Sequence, residues 1–160
     1  MALRRPVYWA KGDEGVDTSG LTAFFTAQAD VRLAYLFGSQ ARGEGGPLSD
    51  VDLAIVLDPA TPSPDLRRDD LNARLMQWLH RDDVDLVLAD RAPPLLRHRI
   101  VRYGICLFAR EPVEATRFAV RALQSYEDTR PLRDIAYAAQ QRRLASDEFG
   151  RAPAYRRVGE

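Results

Sequence analysis

Seven residues from Val31 to Phe37 read VRLAYLF, a run of branched and aromatic side chains that stops at Gly38. A short apolar run closed by a breaker predicts a β-strand. Similar runs predict strands over 50–57, 84–88 and 105–108. Between them the apolar spacing changes to the three- and four-residue step of a helix. Leu71, Leu75, Trp78 and Leu79 lie on one face of a helix predicted over 66–79, with Trp78 expected in the core. Pro93 and Pro94 open a second helix that ends near Gly104, a natural C-cap. Thr18 or Ser19 is expected to cap a short helix over 21–29, with Leu21, Phe24 and Phe25 facing inward. A further helix spans 111–126, and Pro131 breaks or restarts it into a last segment ending near Ala145.

Strands alternating with helices of ten to fifteen residues indicate an α/β arrangement. The pattern does not fix strand directions. The segment 38–50 holds only a helical turn over 39–43 and the breaker-rich Glu44-Gly45-Gly46-Pro47, so the first two strands need not be parallel. Three parts are expected: an irregular arm over 1–19, a domain over 20–145 and a flexible tail over 146–160. Val7, Tyr8 and Trp9 are the arm's apolar anchor.

Composition adds exclusions. With 46% hydrophobic and 29% charged residues in 160, one domain can bury a core. Twenty-three basic residues balance 23 acidic ones, so no global field draws the chain to nucleic acid, and no direct nucleic-acid binding is expected. A single cysteine, Cys106, forms no internal disulfide and is expected to be a small buried hydrophobe in the fourth strand. No apolar run approaches the ~18 residues of a membrane span. Arg4 and Arg5 precede no apolar stretch, so no secretion signal is expected. The expected setting is the cytoplasm.

The chemistry concentrates in two strand ends. Asp50 and Asp52 stand two residues apart where the second strand begins, so their carboxylates share a face opposite Val51, Leu53 and Ile55. Neighbouring carboxylates repel, and a divalent cation removes the conflict. Magnesium suits the position, because it takes one or two carboxylates and completes its shell with water and phosphate oxygens. Asp85 lies inside the apolar run Val84-Asp85-Leu86-Val87-Leu88, where a carboxylate is costly unless paired or ligated. Asp83, at that strand's entrance, needs no such explanation. If the two strands are neighbours, Asp85 completes a three-carboxylate site able to hold two metal ions. Gly38 lets the backbone approach an anion, and the next helical turn offers free N–H groups to a triphosphate. The Ser39 hydroxyl can add a hydrogen bond, and Arg42 can reach a phosphate or anchor the acidic loop.

Gly38-Ser39-Gln40-Ala41-Arg42-Gly43 followed by Ser49-Asp50-Val51-Asp52-Leu53 resembles the nucleotidyltransferases of the DNA polymerase β type. Within that superfamily, Asp83-Val84-Asp85-Leu86-Val87 and Ala92-Pro93-Pro94-Leu95-Leu96-Arg97-His98 look like the minimal nucleotidyltransferases, among them MntA-like antitoxins paired with HEPN-domain (HepT-like) toxins. The resemblance covers about residues 20–130. It implies a small mixed sheet flanked by helices, a C-terminal helical segment, Mg²⁺ (two ions) and ATP. It also implies transfer of AMP to a tyrosine of a HEPN-family ribonuclease toxin, within a hetero-oligomer. Carried over, Asp50, Asp52 and Asp85 are metal ligands, with Asp85 the candidate base, and Gly38 and Ser39 hold the triphosphate. Larger members carry an acceptor-binding domain for which this chain has little room, so the acceptor is expected to bring its own surface. Two alternatives stay open: an antitoxin that only blocks its toxin sterically, and an enzyme acting on a small-molecule or tRNA hydroxyl.

Other residues read more plainly. His80 is expected to be a charge partner at a helix end. Arg97, His98, Arg99 and Arg102 read mainly as a solvated basic face, with nucleotide or partner contact as the lesser reading. Phe118, Leu123 and Tyr126 belong to the core or, in part, to a partner surface.

Overall fold

Strand pairing decides the architecture. In the computed structural model, which describes residues 16–46 and 49–145, strands β1 (Val31–Phe37), β2 (Val51–Leu57), β3 (Val84–Leu88) and β4 (Ile105–Ala109) form one sheet in the order β3-β2-β1-β4. β1 pairs antiparallel with β2 and β4, whereas β2 pairs parallel with β3. The sheet is therefore mixed, as the resemblance implies. Residues 1–15 and 146–160 lie outside the described residues, and with them Val7, Tyr8, Trp9 and the expected tail.

Helices cover both faces. Helices α1 (Thr18–Thr26) and α3 (Pro64–Leu79) pack on one, where Leu21, Phe25, Leu71 and Leu75 bury against Val51, Leu53 and Ile55. Helices α4 (Pro94–Tyr103) and α5 (Pro112–Asp128) cover the other, where Ile100 and Phe118 bury against Leu33, Tyr35 and Ala54. Burying one such large apolar side chain contributes roughly 1.5–3 kcal/mol. Arg32 Nε donates to Glu114 Oε1 at 2.7 Å and ties α5 to β1. The short α2 (Gly38–Arg42) turns the corner after β1, and α6 (Arg130–Ala145) follows α5.

Several local expectations need correction. α1 starts at Thr18, and its cap is Asp17, which accepts from the Gly20 N–H at 2.9 Å; neither Thr18 nor Ser19 is the cap. Trp78 is 42% exposed, because it lies at the rim of α3 over Phe24 of α1 instead of pointing into the sheet. Cys106 is exposed, on β4, which is an edge strand of the sheet. Gly104 does cap α4, its N–H donating to Ile100 O at 2.9 Å, but in extended and not left-handed backbone. Crowding is what demands glycine there: a Cβ would meet Ile100 O at 2.3 Å. The left-handed end belongs to His80, with φ of 53°, which closes α3. Among the described residues, no helix is long and apolar enough to cross a membrane.

Candidate active site

The sequence brings β1 to its end at Phe37 and then needs a sharp turn. Gly38 makes it with φ of +74°, a conformation that side chains disfavour. A second constraint coincides with the first. Phe37 pairs with Asp52 across the antiparallel ladder, which sets the Asp52 carboxylate against the Gly38 backbone. A Cβ on Gly38 would lie 2.0 Å from Asp52 Oδ2. The glycine thus makes room for a protein carboxylate as well as for any incoming anion.

Beyond α2 the chain returns through a loop that one buried side chain holds. Gln40, 3% exposed, donates from Nε2 to Gly46 O at 3.3 Å and to Ser49 O at 3.2 Å. Ser49 Oγ accepts from the Gly46 N–H at 3.0 Å. Sequence reading missed Gln40, although a glutamine inside the G-S-x-x-R-G stretch is a polar group placed where a loop needs donors. Arg81 grips the same point from β3's side: its guanidinium donates to Ser49 O at 2.7 Å and to both Asp83 oxygens at 2.6 Å.

These supports deliver Asp50 and Asp52 at the start of β2, on the face that carries α4 and α5. The parallel register then sets Asp52 directly opposite Asp85 of β3. The two strands are neighbours, the condition on which a three-carboxylate site depends. The burial argument for Asp85 does not hold, however, because β3 is an edge strand and leaves Asp85 exposed. The partly buried member is Asp52. Burial, then the charges of Asp85 and Asp50, push its carboxyl above the ordinary range, with Arg42 pulling the other way. Asp83 is the opposite case: its salt bridge to Arg81 holds it below the usual carboxylate range. The two aspartates flanking Val84 are thereby sorted, one neutralised by the protein and one left toward the site.

Among the described residues, no three carboxylate, imidazole or thiolate side chains converge into a ready cation cage. The donor set still fits magnesium, which binds through one or two carboxylates and shares its remaining positions with water and substrate phosphate. Burial, and after it the charges of Asp85 and Asp50, raise the Asp52 pKa, and a cation at this point would offset both. Ser39 Oγ makes no internal hydrogen bond among the described residues, so it is free to meet a ligand. Arg42 pairs with Glu44 of the following loop at 2.8 Å, and both side chains stay largely exposed. Beside this corner opens a cavity of about 490 Å³, lined by Phe37, Gly38, Arg42, Leu96, Arg99 and Tyr103. That volume lies in the range of small-ligand sites. The basic segment of α4 is not a uniformly solvated face. His98 stacks on Tyr126 at 3.9 Å between ring centroids, Arg97 buries its Nε, and Arg99 faces the cavity.

A turn-helix corner that presents Gly-Ser beside paired aspartates, on a mixed sheet, defines a nucleotidyltransferase-type domain. Residues 20–113 match the family of polymerase beta nucleotidyltransferases, and the chain belongs to it. No curated protein sequence matches the chain significantly. Solved structures with the same fold include a toxin–antitoxin with AMP-PNP, at a TM-score of 0.68 and 24% identity, over 79% of this chain and 99% of that one. A second is tri-AMPylated Shewanella oneidensis HEPN toxin in complex with MNT antitoxin, at 0.62 and 22%, over 78% and 95%. A third is the toxin–antitoxin MntA-HepT, at 0.61 and 22%, over 78% and 96%.

Proposed function

We propose that this protein is a Mg²⁺-dependent adenylyltransferase that serves as an antitoxin by transferring AMP from ATP to a tyrosine of a HEPN-family toxin. The observation that carries the chemistry is the register of β2 on β3, which opposes Asp52 to Asp85 while Gly38 abuts Asp52. The partner rests on the toxin–antitoxin complexes that share the fold, and on apolar surface the chain leaves open. Leu123, Leu132, Ile135 and Tyr137 on α5 and α6 are 45–68% exposed, and surface of that kind marks protein interfaces.

Asp50, Asp52 and Asp85 would hold the metal, which supplies charge neutralisation along the triphosphate when bound. The protein's own groups do the rest. Gly38 and Ser39 orient the terminal phosphates with a backbone N–H and a hydroxyl. Asp85, exposed at the sheet edge, would take the proton of the acceptor hydroxyl. The acceptor oxygen then bonds to the α-phosphorus as the bond from that phosphorus to the pyrophosphate oxygen breaks. Gln40 and Arg81 keep the Ser49 carbonyl, and so Asp50, in place.

The test is incubation with ATP labelled in its adenylate, Mg²⁺ and the product of the neighbouring gene. Label should appear on that partner and be absent with Asp52→Asn. Neutralisation of the partner by Asp52→Asn, with no label transferred at any enzyme concentration, would instead establish steric blocking. Label on tRNA or on a small molecule, and none on the partner, would move the acceptor to another class.

A further inference from the structure

The cavity beside Gly38 has two walls of different origin. One is the β1–α2 corner, with Phe37, Gly38 and Arg42; the other is α4, with Leu96, Arg99 and Tyr103. The α4 residues recur at steps of three and four, so they share one helix face, and that face looks across the cavity at the corner. Both walls contribute a guanidinium, but the two are not equivalent. Arg42 is already committed to Glu44 at 2.8 Å. Arg99 has no hydrogen bond or ion pair among the described residues, and its side chain is open to the cavity.

Charge balance gives that free cation a use. Three carboxylates and a triphosphate at one corner outweigh two divalent ions, so a negative excess remains on the phosphates. A guanidinium is the side chain suited to it, since its fork of donors matches phosphate oxygens. We infer that Arg99 clamps the terminal phosphates of the donor nucleotide from the side opposite Gly38-Ser39. Arg99 is thus a binding residue supplied by α4, with Leu96 and Tyr103 beside it on the same cavity wall. This inference rests on the nucleotidyl-transfer reading of the same site.

The experiment measures binding of ATP, ADP and AMP by calorimetry, with and without Mg²⁺, for the wild type, Arg99→Ala, Arg99→Lys and Arg102→Ala. Arg102 lies on the same helix, is exposed, and does not line the cavity. Arg99→Ala should weaken ATP about tenfold or more, leave AMP unchanged and so remove most of the preference for ATP over AMP. Arg99→Lys should recover part of it, and Arg102→Ala should match the wild type. AMP binding shows that each variant is folded. Equal weakening of ATP and AMP by Arg99→Ala overturns the clamp, as does equal weakening of ATP by Arg102→Ala, which would show only a general field. Wild-type affinity for ATP in Arg99→Ala overturns the clamp and leaves the nucleotidyl-transfer reading standing. A wild type that binds no ATP with Mg²⁺ overturns both.

Discussion

The corner around Gly38 and the helix α6 are both short, polar-rich stretches of sequence, yet the fold treats them in opposite ways. At the corner almost every group is held by another: Gln40 by the loop, Ser49 by Arg81, Asp83 by Arg81, and Asp52 against Gly38. Along α6, Leu132 and Ile135 are each 68% exposed, and none of its described side chains is buried. The corner spends stability to hold unpaired charge in place, whereas α6 offers apolar surface whose burial no part of the described chain provides. The difference separates chemistry, which needs fixed geometry, from association, which needs a partner.

The largest expected effect tests the corner. Asp52→Asn should lower the transfer rate about 10²–10³-fold, on the scale of losing one preorganised electrostatic group, as read by label transfer from ATP. In metal-free buffer the same variant should melt no lower than the wild type. The folded-state pKa of Asp52 is raised, so the wild type keeps the full contribution of this group only below the ordinary carboxylate range. That contribution is lost as pH rises through the shifted value. The melting difference between the Asp52→Asn variant and the wild type should therefore shrink on acidification, and a difference independent of pH would refute the assignment.

Gly38→Ala comes next. A side chain at φ of +74° costs about 1–3 kcal/mol, and its Cβ displaces the Asp52 carboxylate. Denaturant melts should show a loss of that size together with a loss of transfer; an alanine that melted and reacted like the wild type would remove the close-approach argument. Arg81→Ala should act more mildly, because it frees Asp83 and the Ser49 carbonyl and leaves the register of Asp52 on Asp85 intact. Asp83 is held below its ordinary pKa, so its salt bridge contributes above the unfolded value and is lost as pH falls through the folded one. Acid titration of the melting temperature should show a smaller low-pH decline in Arg81→Ala than in the wild type. The smallest effect belongs to α6. Ile135→Asp should change the stability of the isolated chain by no more than about 0.5 kcal/mol and yet impair capture of the proposed toxin partner. A collapse of the isolated fold would show that α6 is integral to the core.

What can be read from sequence follows the same division. The four strands and the helices after them are legible because apolar periodicity records burial, and burial dominates there. The pairing of Asp50 with Asp52 on one face follows from the two-residue repeat alone. Asp85 stands out in sequence on the premise of a buried strand, but β3 lies at the edge and its outward face is open. Trp78 and Cys106 escape for a related reason. Periodicity tells which face a residue shares, but not whether that face ends at a rim or an edge. Gln40 and Arg81 leave no apolar signal, since their value lies in carbonyls brought near by the fold. The α4 wall is hidden because residues separated by about sixty positions from Gly38 meet it only through the sheet.

The parallel seam between β2 and β3 has a consequence for the chain during synthesis. An antiparallel neighbour can pair soon after it emerges, but a parallel one must wait for a crossover, here α3, to form and pack. Loop-closure entropy makes such distant pairing a slow step. A growing chain that has reached β2 carries Asp50 and Asp52 without Asp85, and the register that opposes them does not yet exist. The opposition of Asp52 to Asp85 therefore arises only once β3 has arrived and paired. An interrupted product that ends before residue 84 lacks the third carboxylate on which the proposed transfer relies.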